Sequence, residues 1–455
     1  MIAMTARKVA DLVDGTLDRV DPEAVISGEV VIDSREAAES ALFIAIPGER
    51  VDGHDFSEAA IRNGAVAVLA QHPVDAPAIV VDDTVKAMGM LSKAVLAGAA
   101  SRVTVVGLTG SAGKTSTKDL LAQVLENFGP TISPVGSFNN EIGLPLTALR
   151  ITPETRFLVL EMGARGKGHI SYLASLTPLQ VGLVLNIGTA HMGEFGGREQ
   201  TALAKGELVE ALPSAAEGGL AVLNADDPLV LPMAARTSAR VLTFGLRTPA
   251  DVRVEDMRND GGRASFTLVI EGRCEPVSLD LVGSHHVSNA LAAAAVAHGL
   301  GMRVPEIAVA LSRARRRSPG RMELLERADG VTVINDAYNA NPDSVRAAFD
   351  AVDAFAGDRR RVLVLGEMAE LGETSLEEHE RIGVEAARRG MGLIVGFGGT
   401  PAEAVLAGAG RGRLVRSIPE ALDVLDAELR PGDVVLVKAS KSIGLQVLAR
   451  ELASR

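Results

Sequence analysis

At 455 residues, with 47% hydrophobic and 23% charged side chains, the chain is too long for one ordinary core and apolar enough to bury several, which excludes disorder. A net charge of −12, no Trp and only two Tyr argue against nucleic-acid binding and against attraction to an anionic membrane. No uncharged apolar run is long enough to span a bilayer, no signal-like stretch opens the chain, and the single cysteine, Cys274, cannot form an internal disulfide. The expectation is a cytoplasmic protein acting on small ligands as a monomer, without nucleic acid or membrane insertion.

In chain order, the first 98 residues alternate short strands (EVVIDSR, ALFIAIPG, AVAVLA, AIVVDD) with a helix through HDFSEAAIRNG. An Ala-rich helix, VKAMGMLSKAVLAGAA, then leads to a strand from Arg102 to Leu108. Strand-like runs FLVLEM, QVGLVLNIG, GLAVLN and RVLTFG follow with helical stretches between them, a rhythm that implies a parallel sheet covered on both faces. Between Asp251 and Leu281 the pattern becomes alternating: DVRVEDMR and ASFTLVIEG, joined by NDGGR, predict a β-hairpin. Two helices, SNALAAAAVAHGL and VPEIAVALSRARRR, precede SPGR, after which TVIND, RVLVLG, LIVGF and DVVLVK alternate with helices. The expected fold class is α/β in three units: a small N-terminal one over 1–98, a central P-loop-type one with a mainly parallel sheet over 99–317, and a Rossmann-like one over 318–455.

The segment VTVVGLTGSAGKTSTKDLL carries the strongest chemical signal. A buried strand turns through Gly107, Gly110 and Gly113 into a helix starting near Lys114. Such a turn suits a nucleotide phosphate: glycines let backbone N–H groups approach, the helix start adds positive potential, and lysine neutralises the outer phosphates. Gly110, Ser111, Gly113, Lys114, Thr115 and Ser116 are therefore candidate ATP-binding residues, and Thr115 or Ser116 can hold Mg2+. The strict P-loop pattern would place a glycine where Leu108 stands, so the spacing is a variant.

That variant, TGSAGKTS, resembles the nucleotide loop of the Mur ligase superfamily. GSFNNEIGLPLTAL, DAYNANPDS and DSREAAESALFIAIPGERVDGHDF resemble the same superfamily, so the likeness runs along nearly the whole chain. It implies an N-terminal domain for a UDP-sugar, a central domain for ATP and a C-terminal domain that closes over both. It further implies amide-bond formation between UDP-N-acetylmuramoyl-tripeptide and D-alanyl-D-alanine, with ATP and Mg2+ as cofactors.

Individual residues follow. Glu161 ends the apolar strand FLVLEMG, where open parallel sheets place ligands, and the resemblance makes it a Mg2+ ligand. The resemblance makes His191, in GTAHMGEFG, a second-metal ligand. Lys205, in AKGE on a helix, would ordinarily be a solvated charge; the resemblance implies its carbamylation, which turns it into a carboxylate-like aid to magnesium. Lys114, Glu161, His191 and Lys205 form the expected catalytic set. Asn289 resembles an adenine-contacting asparagine, although the chain reads His285-His286 where the family more often reads His-Asn; a capping or core role for either histidine stays open. Arg321 and Asp336 resemble residues that contact ATP phosphate and ribose, and their chemistry fits those partners. Ser34 and Arg35 match the UDP-sugar site, joined by Asn139 and Asn140. Tyr338, Asn339, Asn341 and Ser344 are candidates for the dipeptide, with turn chemistry in an Asn-Pro segment as the alternative.

No Ser-His-Asp set or reactive cysteine site stands out, and an acyl-phosphate route needs neither, since it relies on positioning and charge neutralisation. Two alternatives stay open: a Mur ligase that adds a single amino acid, although the DNPR-like motif of the third-residue enzyme is absent, and a P-loop nucleotide-binding protein without ligase chemistry.

Overall fold

Short runs rich in Val, Ile, Leu and Ala form the strands, and the glycines and acidic residues between them form the turns. The computed structural model describes residues 1–48, 51–164, 166–188 and 197–455. The first runs build a five-stranded sheet in the order Thr16–Asp18, Ala78–Val80, Ala65–Ala70, Ala41–Ile44, Val30–Val31. All neighbours are parallel except Thr16–Asp18, which runs antiparallel to Ala78–Val80. Helix Thr84–Ala99 sends Met88, Leu91 and Val95 into a core that also takes Leu158, Leu160 and Ile170, so the first sheet and the next share apolar surface.

Nine strands form the central sheet, in the order Arg273–Val282, Arg263–Ile270, Val252–Asp260, Arg240–Gly245, Leu220–Asn224, Val181–Val184, Thr104–Thr109, Phe157–Glu161, Thr131–Ile132. From Val252–Asp260 to Thr131–Ile132 every pairing is parallel. Strand Thr104–Thr109 is buried on both faces: Val105 joins the core shared with the first unit, while Val106 and Leu108 meet helices Lys114–Glu126 and His285–Gly299. The alanine run of His285–Gly299 is fully buried, and its small side chains let that helix lie close against the phosphate-loop helix.

The expected hairpin is Val252–Asp260 paired with Arg263–Ile270, turning on Gly261 and Gly262 at φ +53° and +79°, a conformation glycine adopts without strain. A further strand, Arg273–Val282, lies beyond it at the sheet edge. Pro276 hides it in the sequence, yet an edge strand tolerates a proline because one side of its ladder is open. The last sheet runs Glu323–Glu326, Thr332–Asn335, Val434–Lys438, Arg361–Leu365, Leu393–Phe397, Arg413–Val415, with only the first strand antiparallel. Its two edge strands, Glu323–Glu326 and Arg413–Val415, are absent from the sequence reading because runs of four and three residues are too short to show a pattern.

One buried ion pair ties these layers together. Lys118, in the phosphate-loop helix, is fully buried; its Nζ donates to the carbonyls of Pro134 (2.5 Å) and Gly136 (2.9 Å) and pairs with Asp119 Oδ1 at 2.8 Å. Asp119 Oδ2 in turn accepts from the backbone of Ser318 at 3.0 Å. Removing one partner of a buried pair strands the other charge, so Lys118→Met is expected to cost about 3 kcal/mol in chemical denaturation. Asp119→Asn, which keeps acceptor oxygen for Ser318, should cost less; equal or negligible losses in both would contradict the clamp.

Candidate active site

Strand Thr104–Thr109 lies between Phe157–Glu161 and Val181–Val184, where the chain stops adding strands on one side and starts on the other. At such a switch point the loops at the carboxyl ends splay apart and leave a crevice. Three segments fill its floor: Gly110–Gly113 after the first strand, Glu161 ending the second, and Asn186 beyond the third.

The phosphate loop has the expected form. Gly113 sits at φ +79° and helix Lys114–Glu126 starts immediately after it. Asn186 Oδ1 accepts from the backbones of Ser111 (3.0 Å) and Ala112 (2.9 Å), and its Nδ2 donates to Ala112 O (3.1 Å), so this side chain holds the loop open. Lys114 Nζ donates to Gly110 O at 2.8 Å. Burial first, and Arg321 nearby, lower the Lys114 pKa, while Glu161 and Glu370 oppose them. Ser111 lines the crevice, and its buried Oγ has no partner among the described residues.

Glu161 is 1% exposed, and both its oxygens are occupied: Oε2 accepts from Thr115 Oγ1 (2.8 Å), and Oε1 from Ser137 Oγ (2.6 Å) and Asn139 Nδ2 (3.0 Å). Lys205 lines the same crevice from helix Arg198–Glu210 and is only 2% exposed, so the expectation of a solvated surface charge is overturned. Among the described residues no group accepts a hydrogen bond from its amine. Desolvation, with Lys114 adding, holds its pKa well below the ordinary lysine value. Two positions on, Glu207 accepts from the backbones of Gly168 (2.6 Å) and Ser171 (3.1 Å), fixing the helix that carries Lys205 against His169–Leu176.

The C-terminal unit closes one side. Arg321 Nη2 donates to Thr115 Oγ1 at 3.2 Å, its guanidinium lies 4.3 Å from the Tyr338 ring centre, and its buried Nε has no partner among the described residues. Tyr338, Asn339, Asn341 and Ser344 line the crevice with Asn139 and Asn140. Asn341 and Ser344 also form the capping box of helix Pro342–Ala356, so turn chemistry uses their side chains, and Asn339 gives its carbonyl to Lys438 Nζ at 2.9 Å. Asn140 Oδ1 accepts from Gly143 N at 2.9 Å.

An adjoining hollow is walled by Gly113, Thr115, Ser116, His285, His286, Asn289 and Asp336. Asn289 Oδ1 abuts Gly113 so closely that a Cβ there would come within 2.8 Å of it. His286 Nδ1 lies 3.4 Å from Asn289 Nδ2, and burial keeps both histidines below the ordinary histidine pKa, His286 by the larger margin. Asp336 accepts from Met322 N (3.0 Å) and pairs with buried Lys438 at 2.5 Å.

Ser34 and Arg35 sit elsewhere, neither lining this crevice: Ser34 is buried, and exposed Arg35 pairs with Asp33 at 2.6 Å, holding that carboxyl at about 2. The His191 expectation falls outside the described residues. Asn186, Ser137, Lys118 and Lys438 belong to the site's framework without having been singled out in sequence. Asn186 follows the apolar run VGLVL much as Glu161 follows FLVL, and that signal would have found it.

Residues 28–101, 108–297 and 320–441 match, respectively, the catalytic domain of the Mur ligase family, the Mur ligase middle domain and the Mur ligase glutamate ligase domain. The UDP-N-acetylmuramoyl-tripeptide–D-alanyl-D-alanine ligase of Mycobacterium tuberculosis is 43% identical, covering 100% of this chain and 98% of that protein; the enzyme of the same name from Bacillus subtilis is 35% identical over 99% of each. Among solved structures, MurF from Acinetobacter baumannii superposes with a TM-score of 0.89 at 31% identity, covering 100% of this chain and 99% of that one. MurF ligase from Thermotoga maritima in complex with ADP gives 0.80 at 30% identity over 94% and 98%. With the phosphate loop, the buried Glu161 and full-length likeness in hand, the chain belongs to the Mur ligase family.

Proposed function

We propose that the chain is an ATP-dependent ligase that adds D-alanyl-D-alanine to UDP-N-acetylmuramoyl-tripeptide through an acyl phosphate, giving UDP-N-acetylmuramoyl-pentapeptide for peptidoglycan synthesis. The observation that carries this reading is the convergence of Lys114, Glu161, Lys205 and Arg321 on one crevice, in a chain alike over its full length to enzymes of that name. Residues 1–98 hold the UDP end through Ser34 and Arg35, 99–317 hold ATP, and 318–455 bring the dipeptide and close the site. Among the described residues no helix is long and apolar enough to cross a membrane.

The tripeptide carboxylate attacks the γ-phosphorus of ATP, releasing ADP and forming the acyl phosphate. The dipeptide amine then attacks the acyl carbon, and the tetrahedral intermediate expels inorganic phosphate as the amine loses its proton. Lys114 and Arg321 face the charge that builds on the transferring phosphoryl group. Gly110, Ser111, Gly113, Thr115 and Ser116 cradle the phosphates, Asn289 meets adenine and Asp336 the ribose. Asn139, Asn140, Tyr338, Asn339, Asn341 and Ser344 bound the space for the acyl group and the dipeptide, and closure excludes water that would hydrolyse the acyl phosphate.

Magnesium fits the oxygen donors present: Glu161 and the Thr115 hydroxyl are hard ligands. Bound there, it would neutralise phosphate charge. Lys205 fits carbamylation, because its depressed pKa favours the neutral amine that reacts with carbon dioxide, and the carbamate would set an anion beside Lys114.

The direct test follows phosphate release from ATP with UDP-N-acetylmuramoyl-tripeptide, with and without D-alanyl-D-alanine, and weighs the product. Release that needs both, with a product heavier by one dehydrated dipeptide, is expected; no coupled release from folded protein would break the substrate assignment. Lys114→Ala is expected to lower kcat by at least about a hundredfold, and near-normal turnover would sink the phosphate-loop assignment. Lys205→Ala should be inactive and partly restored by bicarbonate or a short carboxylic acid; full activity without them would remove Lys205 from the site.

A further inference from the structure

Four lysine and arginine side chains line the crevice among the described residues: Lys114, Lys205, Arg321 and Lys441. The first three serve the phosphoryl-transfer end. Lys114 is folded onto the phosphate loop, Arg321 reaches Thr115, and Lys205 is buried in the wall. Lys441 is different. It is exposed, makes no side-chain hydrogen bond or ion pair among the described residues, and has the ring of Tyr338 beside it, the ring centre 5.4 Å from Nζ.

Its backbone is held firmly. Ser440 Oγ accepts from Ala369 N (2.8 Å) and donates to Ala340 O (3.4 Å), while Lys438 Nζ holds Asp336 and Asn339 O. The loop bearing Lys441 is thus tied to the Asp336–Asn341 segment and to the loop bearing Glu370, which lines the same crevice at φ +65°. A positive φ in a non-glycine residue is a strained conformation that packing must enforce, so both loops are set in place rather than loose.

The reaction brings three kinds of anion into this space: ATP phosphates, the carboxylate that becomes the acyl phosphate, and the free carboxylate of the dipeptide, which never reacts. The last still loses water when the site closes, and a cation is the strongest partner the site can offer it. Among the described residues Lys441 is the cation left over, on the C-terminal side of the crevice, with Tyr338 as an apolar wall beside it. We propose that Lys441 binds the free carboxylate of the incoming dipeptide, so that the site selects acceptors by that group and points their amine toward the acyl carbon. The inference rests on the reading under Proposed function and adds the acceptor's clamp to it.

The experiment compares D-alanyl-D-alanine with its C-terminal amide as acceptors for the full-length wild type, Lys441→Met and Lys441→Arg. The wild type should prefer the acid in kcat/KM by about tenfold or more, the scale of one charge-assisted hydrogen bond. Lys441→Met should lose that preference through a raised KM for the dipeptide, with KM for ATP and for the UDP substrate unchanged, and Lys441→Arg should keep most of it. An acid-over-amide preference undiminished in Lys441→Met overturns the inference, as does a rise in all three KM values together. A wild type that uses the dipeptide but does not distinguish acid from amide overturns the clamp alone; one that ignores the dipeptide overturns the functional reading and the clamp with it.

Discussion

A carboxylate that water does not reach organises the centre of the molecule. Glu161 ends a fully buried strand, and an ionised carboxyl in such a place is tolerable only if its lone pairs are satisfied. Thr115, Ser137 and Asn139 satisfy them, and they arrive on two different stretches of chain. Thr115 opens the phosphate-loop helix, so that helix must start where the strand ends. Ser137 and Asn139 sit on the loop after Thr131–Ile132, so that loop must fold inward. Thr115 also accepts from Arg321, more than two hundred residues away, and through one hydroxyl the C-terminal unit is drawn onto the same point.

The connection between the central and C-terminal units answers to the same helix. Gln123 exchanges two hydrogen bonds with the backbone of Arg315, Glu126 takes Arg317 as a two-pronged pair at 2.6 and 2.5 Å, and Asp119 takes Ser318 N. Residues 315–318 therefore move with the phosphate loop. The chain becomes unusual just beyond, at Gly320 (φ +68°) and Met322 (φ +48°), which flank Arg321. Any rotation of the C-terminal unit has to be absorbed in that short stretch, so it necessarily turns the Arg321 side chain relative to Thr115. Orientation of the unit and the placement of Arg321 against Thr115 are one variable, not two.

Much of this was legible in the sequence, for reasons that can be named. Parallel strands buried on both faces are continuous apolar runs, so VTVVGLT, FLVLE and RVLVL announce themselves, and a carboxylate ending one of them marks Glu161. Gly261 and Gly262 mark the hairpin because two successive positive φ angles ask for glycine. What escaped depends on partners distant in the chain. Edge strands Glu323–Glu326 and Arg413–Val415 carry little apolar signal of their own. Lys118 reads as one more charge in a helix, and only the fold shows that its amine lies under the carbonyls of Pro134 and Gly136. Lys205 misleads in the same way: the residues that bury it come from other elements. Asn341 and Ser344 show the reverse case, since their local spacing already spelled a helix cap.

The charge distribution shows how an acidic protein can hold several anions at once. Its net charge of −12 does not draw them in from a distance, and at physiological ionic strength fields fade over about 8 Å in any case. What acts is local: a helix start, the phosphate-loop amides and a few cations set into low-dielectric walls. Burial raises the strength of each interaction while lowering the pKa of Lys114 and Lys205, so the same desolvation that makes a cation effective also weakens its hold on its proton. Glu161 and Glu370 oppose that loss at Lys114, but no carboxylate among the described residues does so at Lys205. The two lysines are therefore not equivalent: nearby carboxylates oppose the effect of burial at Lys114, whereas the surroundings of Lys205 favour the neutral amine.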